Sequence, residues 1–293
     1  MKNEFNKTKA KYAIFGVLFQ TFCLAANFSV ILFLVILLGD ILIQGYSTLN
    51  WNFLTSYPSR FHDKAGILAA IVGTFYMMLL TAFISVPLGV GAAIYLEEYA
   101  RETRFIRFVK LNIQNLAGVP SIIYGILGLT LFVRFMDLGR SLLAATLTMA
   151  LLILPIITIA SQEALRAVPQ SFRLAGYGLG LTRWQVIQHQ VLPMVATGMS
   201  TGVILALSRA IGESAPLVMV GALTYVAFLP SGLLDSFGVL SIQIYNWSSF
   251  PQKEFHALAA SSIIVLLAML FVLNVIAIGL RMYFQNKIRG INR

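Results

Sequence analysis

The chain has 293 residues, of which 58% are hydrophobic and only 11% are charged, and its formal net charge is +10. Soluble domains carry roughly 25% charged residues, so this composition excludes an ordinary soluble protein and indicates an integral membrane protein. The basic residues are scattered between apolar runs, which argues against nucleic acid as a partner. The single cysteine, Cys23, lies in an apolar run, so we expect neither a disulfide framework nor a thiol metal site.

Six segments of the chain are apolar over a length that can cross a bilayer. A membrane-spanning helix needs ~20 mostly apolar residues. Such runs occur at about 15–46, 66–95, 109–134, 141–161, 194–226 and 257–281. We therefore predict an all-α integral membrane protein with six transmembrane helices. Pro120 and Gly125 fall in the third segment, where we expect a bend or a local loosening of the helix.

The basic residues favour one side of the predicted membrane. Of the 21 lysines and arginines, 15 fall before the first span, between the second and third, between the fourth and fifth, or after the sixth. Because cytoplasmic loops carry an excess of Lys and Arg, we predict that both termini are cytoplasmic and that residues 1–14 and 282–293 form tails. The basic start lacks a small-residue cleavage site, so we expect a retained first helix rather than a removed signal peptide.

The loop from Glu163 to Pro193 is too long and too strongly patterned to be a plain connector between two spans. Small or apolar residues recur there at the i, i+3, i+4 and i+7 spacing of one helix face, at Phe172, Ala175, Gly176 and Leu179. This spacing predicts a short helix at the membrane surface.

A sharp corner and a second helix are predicted to follow. Gly180 suits the position just past the end of the first helix, because glycine adopts the left-handed conformation at little cost. Thr182 and Gln185 have the spacing of a capping box, which would open a second helix that runs to Leu192, before Pro193 stops it. A folded helix–corner–helix element of this kind indicates a surface that a partner protein holds.

The fifth segment carries a stripe of small residues at strict four-residue spacing, which would let another helix approach closely. The stripe consists of Gly198, Gly202, Ala206, Ala210 and Ser214.

Beside the stripe lie Arg209 and Glu213, two charges four residues apart and therefore on neighbouring turns of one predicted face. An intramembrane ionisable residue is costly and by default indicates a functional site that faces a bundle interior or a water-filled path. The guanidinium of Arg209 presents a planar fork that matches the oxygens of phosphate or sulfate, while Glu213 would orient it and offset its charge. The alternative is a structural ion pair that fixes helix register.

Motifs for catalysis and metal binding are missing from the sequence. No G-x-x-x-x-G-K-[ST] run occurs, so the chain is not expected to bind ATP itself. His62, His189 and His256 are far apart and share no carboxylate cluster, so no metal site is expected. The serines of the apolar segments lack a companion histidine at helical spacing. The sequence therefore does not indicate an enzyme.

Several motifs resemble those of the membrane subunits of binding-protein-dependent ABC importers of the type I fold, and most closely the phosphate permeases of that family. The resemblance runs from about Gly73 to the sixth span. It is carried by VPLG with YLEEYA (86–89 and 95–100), AGVPSIIYG (117–125), EALRAVPQSFR (163–173), GLTRWQ with VLP (180–185 and 191–193) and SRAIGESAPL (208–217). It implies an importer core over residues 66–281, a coupling loop at 162–193, and one extra transmembrane helix at 15–46.

The resemblance also implies roles for individual residues. In the family the coupling loop docks into an ATPase, and the docking residues carried over to this chain are Phe172, Arg173, Ala175, Gly176, Leu179, Gly180, Leu181, Thr182, Arg183 and Trp184. The family's loop pattern has a glutamate, a second alanine and an isoleucine where this chain has Leu174, Gly176 and Gln190. The arginine that the family associates with phosphate passage falls on Arg209, with Glu213 as its companion.

The implied assembly combines this chain, in a bacterial inner membrane, with a sister permease, two copies of an ATPase that binds ATP and magnesium, and an extracytoplasmic phosphate-binding protein. The chain itself is expected to need no cofactor. Two other functions stay open at this stage. A sulfate or molybdate permease would use the same arginine chemistry, and an ATP-independent channel or secondary transporter would need more polar groups near the bilayer midplane.

Overall fold

The computed structural model of the chain describes the backbone of residues 2–222 and 225–291 and the side chains of 15–222, 225–279 and 281–283. The regular structure within these ranges is helical and includes no β-strand, which confirms the all-α prediction. In chain order, the helices are α1 (Lys2–Tyr46), α2 (Trp51–Thr55), α3 (Leu68–Ile94), α4 (Arg104–Ala117), α5 (Ser121–Gly128), α6 (Leu142–Arg166), α7 (Gln170–Gly178), α8 (Arg183–Val186), α9 (Leu192–Gly212), α10 (Ala215–Val220), α11 (Leu240–Ser248) and α12 (Lys253–Ile291).

Wider π turns extend or join several of these helices. Helix α3 continues into Tyr95–Tyr99, α5 continues into Leu129–Phe135, and α8 reaches α9 through Ile187–Val191. A π turn shifts the hydrogen-bond pattern by one residue and is frequent at functional sites. The turns at Tyr95–Tyr99 and Ile187–Val191 both lie beside α7, at the end of the bundle that we call the α7 end.

Five helical stretches within the described residues are long and apolar enough to cross a membrane, or six if α4 and α5 count as one broken span. The bend predicted at Pro120 in the third segment, 109–134, is confirmed, but at 102° it is so sharp that α4 and α5 are separate helices. Pro120 lacks an N–H and disfavours helical backbone at the residue before it, so the chain leaves the helix at Gly118. The Tyr124 hydroxyl then donates to the Leu116 carbonyl oxygen at 2.8 Å and holds the corner.

The fifth span differs from its predicted bounds of 194–226 at both ends. It begins at Arg183 because α8 continues through the π turn into α9, so Pro193 lies in the first turn of α9 instead of ending a helix. The π turn has already interrupted the regular ladder, and a missing N–H is tolerated in a first helical turn. The span ends at Gly212, and residues 223 and 224 of the predicted segment lie outside the described residues.

Helix α6 lies at the centre of the bundle. Two thirds of its most apolar 18-residue stretch is buried. Small residues let three neighbours approach it closely: Gly89 of α3 lies against Ile157, Gly128 of α5 against Thr148, and Gly202 of α9 against Ala160. Close approach through small residues increases van der Waals contact between helices in a membrane.

Replacing Gly202 with leucine should therefore destabilise the bundle, because a Cβ at this position would overlap the Cβ of Ala160. We expect a loss of about 1–3 kcal/mol, the usual cost of overpacking a close contact. The thermal unfolding midpoint of the detergent-purified chain measures it. Gly279→Leu is the matched control, since a Cβ there would meet nothing within 4 Å. Equal stability of the two variants would contradict a close α6–α9 contact.

Helix α1 is highly exposed, and, as in α12, none of its most apolar stretch is buried inside the chain. It meets α12 near Gly45, whose carbonyl oxygen accepts a hydrogen bond from Ser261 Oγ at 2.6 Å. The helix begins at Lys2, so no helix boundary separates the predicted 1–14 tail from the 15–46 span. Likewise α12 runs to Ile291 across the predicted boundary at 281. The tail side chains at 1–14 and 284–293 lie outside the described residues.

Candidate functional site

The α7–α8 corner, residues 170–186, is closed by hydrogen bonds between near neighbours. Gly180 follows the end of α7 with a φ of +80°, a left-handed conformation. Its N–H donates to the Tyr177 carbonyl at 3.0 Å, and the Leu181 N–H donates to the Gly176 carbonyl at 3.2 Å. This pair of bonds is the Schellman motif that ends many helices at a glycine. The predicted role of Gly180 at the helix end is confirmed.

Helix α8 begins with the predicted capping box. The Gln185 N–H donates to Thr182 Oγ1 at 3.4 Å, and the Thr182 N–H donates to Gln185 Oε1 at 2.9 Å. Each side chain thus satisfies a backbone donor that the first helical turn leaves unpaired. The helix–corner–helix prediction is confirmed by these bonds.

The corner exposes a set of large apolar side chains. Leu179 is 78% exposed and Trp184 is 52% exposed, and Phe172 and Leu174 on α7 are exposed as well. Contiguous exposed apolar surface on a folded element is typical of a protein-interaction site. The predicted docking residues Ala175, Thr182 and Arg183 are also exposed, and Leu181 is half-buried.

Two of the predicted docking residues point into the chain rather than toward a partner, which corrects the prediction for them. Gly176 is buried, and a Cβ there would lie 2.8 Å from both Val186 Cγ2 and Gln190 Oε1. Gly176 and Gln190, two of the three positions where this chain departs from the family's loop pattern, are therefore in contact; the third is Leu174, in place of the family's glutamate. The smaller residue makes room for the larger side chain. The second inward-pointing residue is Arg173.

Arg173 forms a buried ion pair with Glu98, in the π turn that ends α3. Arg173 Nη2 lies 2.6 Å from Glu98 Oε1, and Nε donates to both carboxylate oxygens at 3.1 Å. The Glu98 side chain is 4% exposed and the Arg173 side chain 14% exposed. Arg173 also donates to the carbonyl oxygens of Leu165 at 3.0 Å and Val168 at 2.7 Å. Such hydrogen bonds compensate the guanidinium for the loss of water.

A second group of charges lies beside this pair. Glu97 accepts two hydrogen bonds from Arg166, at 2.8 and 3.1 Å, and its Oε1 lies 3.3 Å from Lys110 Nζ. Lys110 also donates to Glu102 at 2.7 Å, and this bond lowers the pKa of the exposed Glu102 carboxyl below its ordinary value. Arg166 further donates to Glu163 at 3.0 Å. These bonds join α6 and α4 to the end of α3.

Sequence reasoning placed these charges on one side of the membrane but did not pair them. The partners Glu98 and Arg173 are 75 residues apart, so no local spacing rule connects them. The available signal was the adjacent pair Glu97 and Glu98 at the end of an apolar span, opposite a loop rich in arginine. Adjacent carboxylates repel each other, so they need cations nearby.

Arg209 and Glu213 are brought together at the end of α9. Arg209 Nε donates to Glu213 Oε1 at 3.4 Å. The Arg209 side chain is 56% exposed in the isolated chain, while the Glu213 side chain is 18% exposed. The Ser241 hydroxyl of α11 donates to the Glu213 carbonyl at 3.4 Å and helps to hold it. The pair therefore lies at the surface of this chain and not within its core.

The two charges do not share a continuous helix, which corrects the predicted geometry. Helix α9 ends at Gly212, Glu213 is extended with φ −73° and ψ 122°, and α10 begins at Ala215. Ser214, the last member of the predicted small-residue stripe, lies beyond the helix and does not continue its face. Non-helical backbone in an apolar segment is tolerated where it is buried in protein or lines a water-filled cavity.

The small-residue stripe packs α9 against α6, and Arg209 lies beside the stripe on the exposed surface. Gly198 and Gly202 lie against Ala164 and Ala160 of α6, and Ala206 and Ala210 are buried. The exposed face carries Met194, Thr201, Leu205, Arg209 and Gly212 at helical spacing. Arg209, whose side chain is 56% exposed, therefore lies on the side of α9 that this chain leaves open, a face that also includes Gly198.

Most of the chain matches known proteins. The profile of the family described as "Binding-protein-dependent transport system inner membrane component" matches residues 85–290. The chain is 28% identical over 264 residues to the "Probable ABC transporter permease protein YqgI" of Bacillus subtilis, covering 85% of this chain and 90% of that protein. It is 30% identical over 251 residues to the "Phosphate transport system permease protein PstA" of Haemophilus influenzae, covering 86% and 87% of the two chains.

The fold is similar to that of a solved importer. An inward-facing structure of the MetNI methionine ABC transporter superposes with a TM-score of 0.58 at 18% sequence identity. The match covers 76% of this chain and 97% of that one. At this identity the likeness concerns the fold and not the substrate.

Proposed function

The chain belongs to the family of binding-protein-dependent transport system inner membrane components, and we propose that it is a permease subunit of an ATP-driven importer of inorganic phosphate. The observation that carries the proposal is the Arg209–Glu213 pair, on the exposed face of α9 where the helix breaks. The relative named as a phosphate transport permease supports phosphate as the substrate.

Arg209 has the chemistry that passage of an oxyanion requires. An exposed guanidinium offers donors in a planar fork that fits two oxygens of a tetrahedral anion. Glu213 holds the guanidinium through Nε at 3.4 Å and offsets its positive charge. Partial neutralisation matters because a transport site must release its anion as well as bind it. The extended backbone at Glu213 gives the site room to change shape between states.

The α7–α8 corner suits the docking of an ATPase. It is folded by its own caps, and its exposed apolar side chains, Phe172, Leu174, Leu179 and Trp184, need a partner to cover them. The proposed partners are two copies of an ATPase that binds ATP and magnesium, a sister permease, and an extracytoplasmic phosphate-binding protein. In this arrangement the chain forms half of the translocation path and transmits the motion of the ATPase through the α7–α8 corner. ATP hydrolysis by the ATPase supplies the energy.

The membrane orientation is proposed from charge. Because 15 of the 21 lysines and arginines fall at the α7 end or in the terminal segments, that end and both termini would face the cytoplasm of a bacterium. The docking corner would then lie where ATP is available. The Arg209–Glu213 pair lies near the other end of α9, about 25 Å from Leu192 at 1.5 Å per residue.

Co-purification followed by reconstitution tests the proposal. We expect a tagged chain expressed in its own host to bring down an ATPase and a second permease. In proteoliposomes this complex, supplied with binding protein, should take up radiolabelled phosphate only when ATP is present on the ATPase side. Uptake of radiolabelled phosphate in the presence of excess sulfate or molybdate is the control for which anion the complex transports.

Different results would indicate the other functions. Stronger competition by sulfate or molybdate than by unlabelled phosphate would assign the permease to another oxyanion, because Arg209 alone does not discriminate among tetrahedral dianions. A lone chain that moves phosphate without ATP would indicate a channel or secondary transporter and would contradict the docking role of the corner.

A further inference from the structure

The buried pair Glu98–Arg173 joins α7 to two membrane-spanning helices. Glu98 lies in the turn that ends α3, Leu165 lies in α6, and Val168 lies between α6 and α7. The guanidinium of Arg173 bonds all three: it donates to both oxygens of Glu98 and to the carbonyl oxygens of Leu165 and Val168. One side chain of α7 therefore holds the ends of α3 and α6 at once.

The rest of α7 is attached differently. The buried apolar cluster beneath the corner takes its residues from the end of α3, from α6 and from the α8–α9 segment, and within the described residues α7 contributes none. Helix α7 contacts the α8–α9 segment through the close approach of Gly176 to Val186 and Gln190. Its side-chain hydrogen bonds toward α3 and α6 come from Arg173.

The physical character of this link suits the transfer of a displacement. Both side chains are largely excluded from water, with 4% of Glu98 and 14% of Arg173 exposed. An ion pair in a low-dielectric setting, with several short hydrogen bonds, resists separation more than a solvated pair does. Separating the partners would leave a buried charge without compensation.

We propose that Glu98 and Arg173 are positioning residues for energy coupling, which transmit movement of α7 to α3 and α6. The inference rests on the proposed docking of an ATPase at the α7–α8 corner. When the ATPase moves α7, the pair makes the ends of α3 and α6 move with it, while the Gly176 contact carries the same displacement to α9. Without the pair, α3 and α6 follow the movement of α7 less completely.

The test measures phosphate transported per ATP hydrolysed by the reconstituted complex. We expect Glu98→Gln and Arg173→Gln each to lower this ratio by about tenfold while ATP hydrolysis continues. The double variant should be no worse than Arg173→Gln alone, because the two residues act as a unit. Glu97→Gln is the matched control: it removes the neighbouring carboxylate, whose bonds reach Arg166 and Lys110 but not α7. Its ratio should stay within about twofold of the wild type, because Lys110 and Arg166 keep the exposed carboxylates of Glu102 and Glu163 as partners.

A merely structural role gives a different result. If Glu98→Gln lowers transport and ATP hydrolysis in parallel, with the ratio unchanged, the coupling role is overturned. A normal ratio overturns it as well. If Glu98→Gln does not accumulate, Glu98→Asp keeps the charge but shortens the reach, and its ratio should lie between those of wild type and Arg173→Gln. A wild-type ratio in Glu98→Asp together with a wild-type ratio in Arg173→Gln would also overturn the proposal.

A second measurement does not depend on transport. Hydrogen–deuterium exchange of the backbone amides of residues 170–178 should be about tenfold faster in Glu98→Gln than in Glu97→Gln, because loss of the pair frees α7 from its support. Equal exchange in the two variants overturns the proposed link. If the wild-type complex takes up no phosphate with ATP while exchange still separates the variants, the proposed function fails and the attachment of α7 through Glu98 stands.

Discussion

Replacing Arg209 with glutamine should abolish phosphate uptake while the importer still assembles. The change removes the charge and the fork that bind the anion, and truncating one partner of a charge-assisted contact costs about 2 kcal/mol or more, about 30-fold in rate. Assembly should survive because Arg209 is 56% exposed in the chain and its bond to Glu213 is long, at 3.4 Å. Uptake of radiolabelled phosphate in cells that lack the native gene measures the effect, and co-purification of the ATPase measures assembly.

Two companion variants separate the roles of the pair. Arg209→Lys keeps the positive charge but loses the fork, so we expect uptake between that of wild type and Arg209→Gln. Glu213→Gln keeps an oxygen that can accept from Arg209 Nε and should reduce uptake less than Arg209→Gln does. If Arg209→Gln instead prevents the ATPase from co-purifying, the pair serves helix register and not the anion path.

Introducing glutamate at Gly180 should uncouple ATP hydrolysis from transport without removing the chain from the membrane. Gly180 has a φ of +80°, and a Cβ there would meet nothing within 4 Å inside this chain. Within this chain, the substitution therefore costs only backbone strain of about 1–2 kcal/mol. Its main effect is to disturb the docking of the partner that covers the corner. We expect phosphate uptake to fall by at least about tenfold, a loss of about 1.4 kcal/mol, with the amount of membrane-inserted chain unchanged.

The matched control for this variant lies at the opposite end of the bundle. Gly139 precedes α6, has a φ of +63°, and also has open space around the position of a Cβ. Gly139→Glu therefore introduces the same charge and a similar backbone strain away from the α7–α8 corner. It should leave uptake near the wild-type level. Equal loss in both variants would assign the effect to backbone strain, and normal uptake in Gly180→Glu would contradict docking at the corner.

The amino-acid sequence by itself determined the features that depend on composition and on near neighbours. The apolar runs are long enough to specify membrane-spanning helices without knowledge of their partners. The turn between α7 and α8 was predictable because the hydrogen bonds that close it join residues within five positions of one another, as between Thr182 and Gln185 or Leu181 and Gly176. Local hydrogen bonds of this kind follow residue type and spacing directly.

Helix packing partly decided where the third and fifth spans break. Pro120 signalled a bend, but an angle of 102° depends on what α5 packs against. Gly125 of α5 lies against Pro216 of α10, so α10 packs on α5 directly after the break that ends α9. Periodicity alone continues α9 past Gly212, because the apolar pattern does not change there.

Only the tertiary structure decided how the charged residues pair and which way they point. Glu98 and Arg173 meet across 75 residues of chain, and Arg173, expected on the docking surface, turns inward to reach Glu98. Arg209 is 56% exposed on the open side of α9, while Gly202 of the same helix packs against Ala160 of α6. A charge pattern in the sequence specifies the side of the membrane, whereas a particular partner is chosen by the distance and burial that the packed helices create.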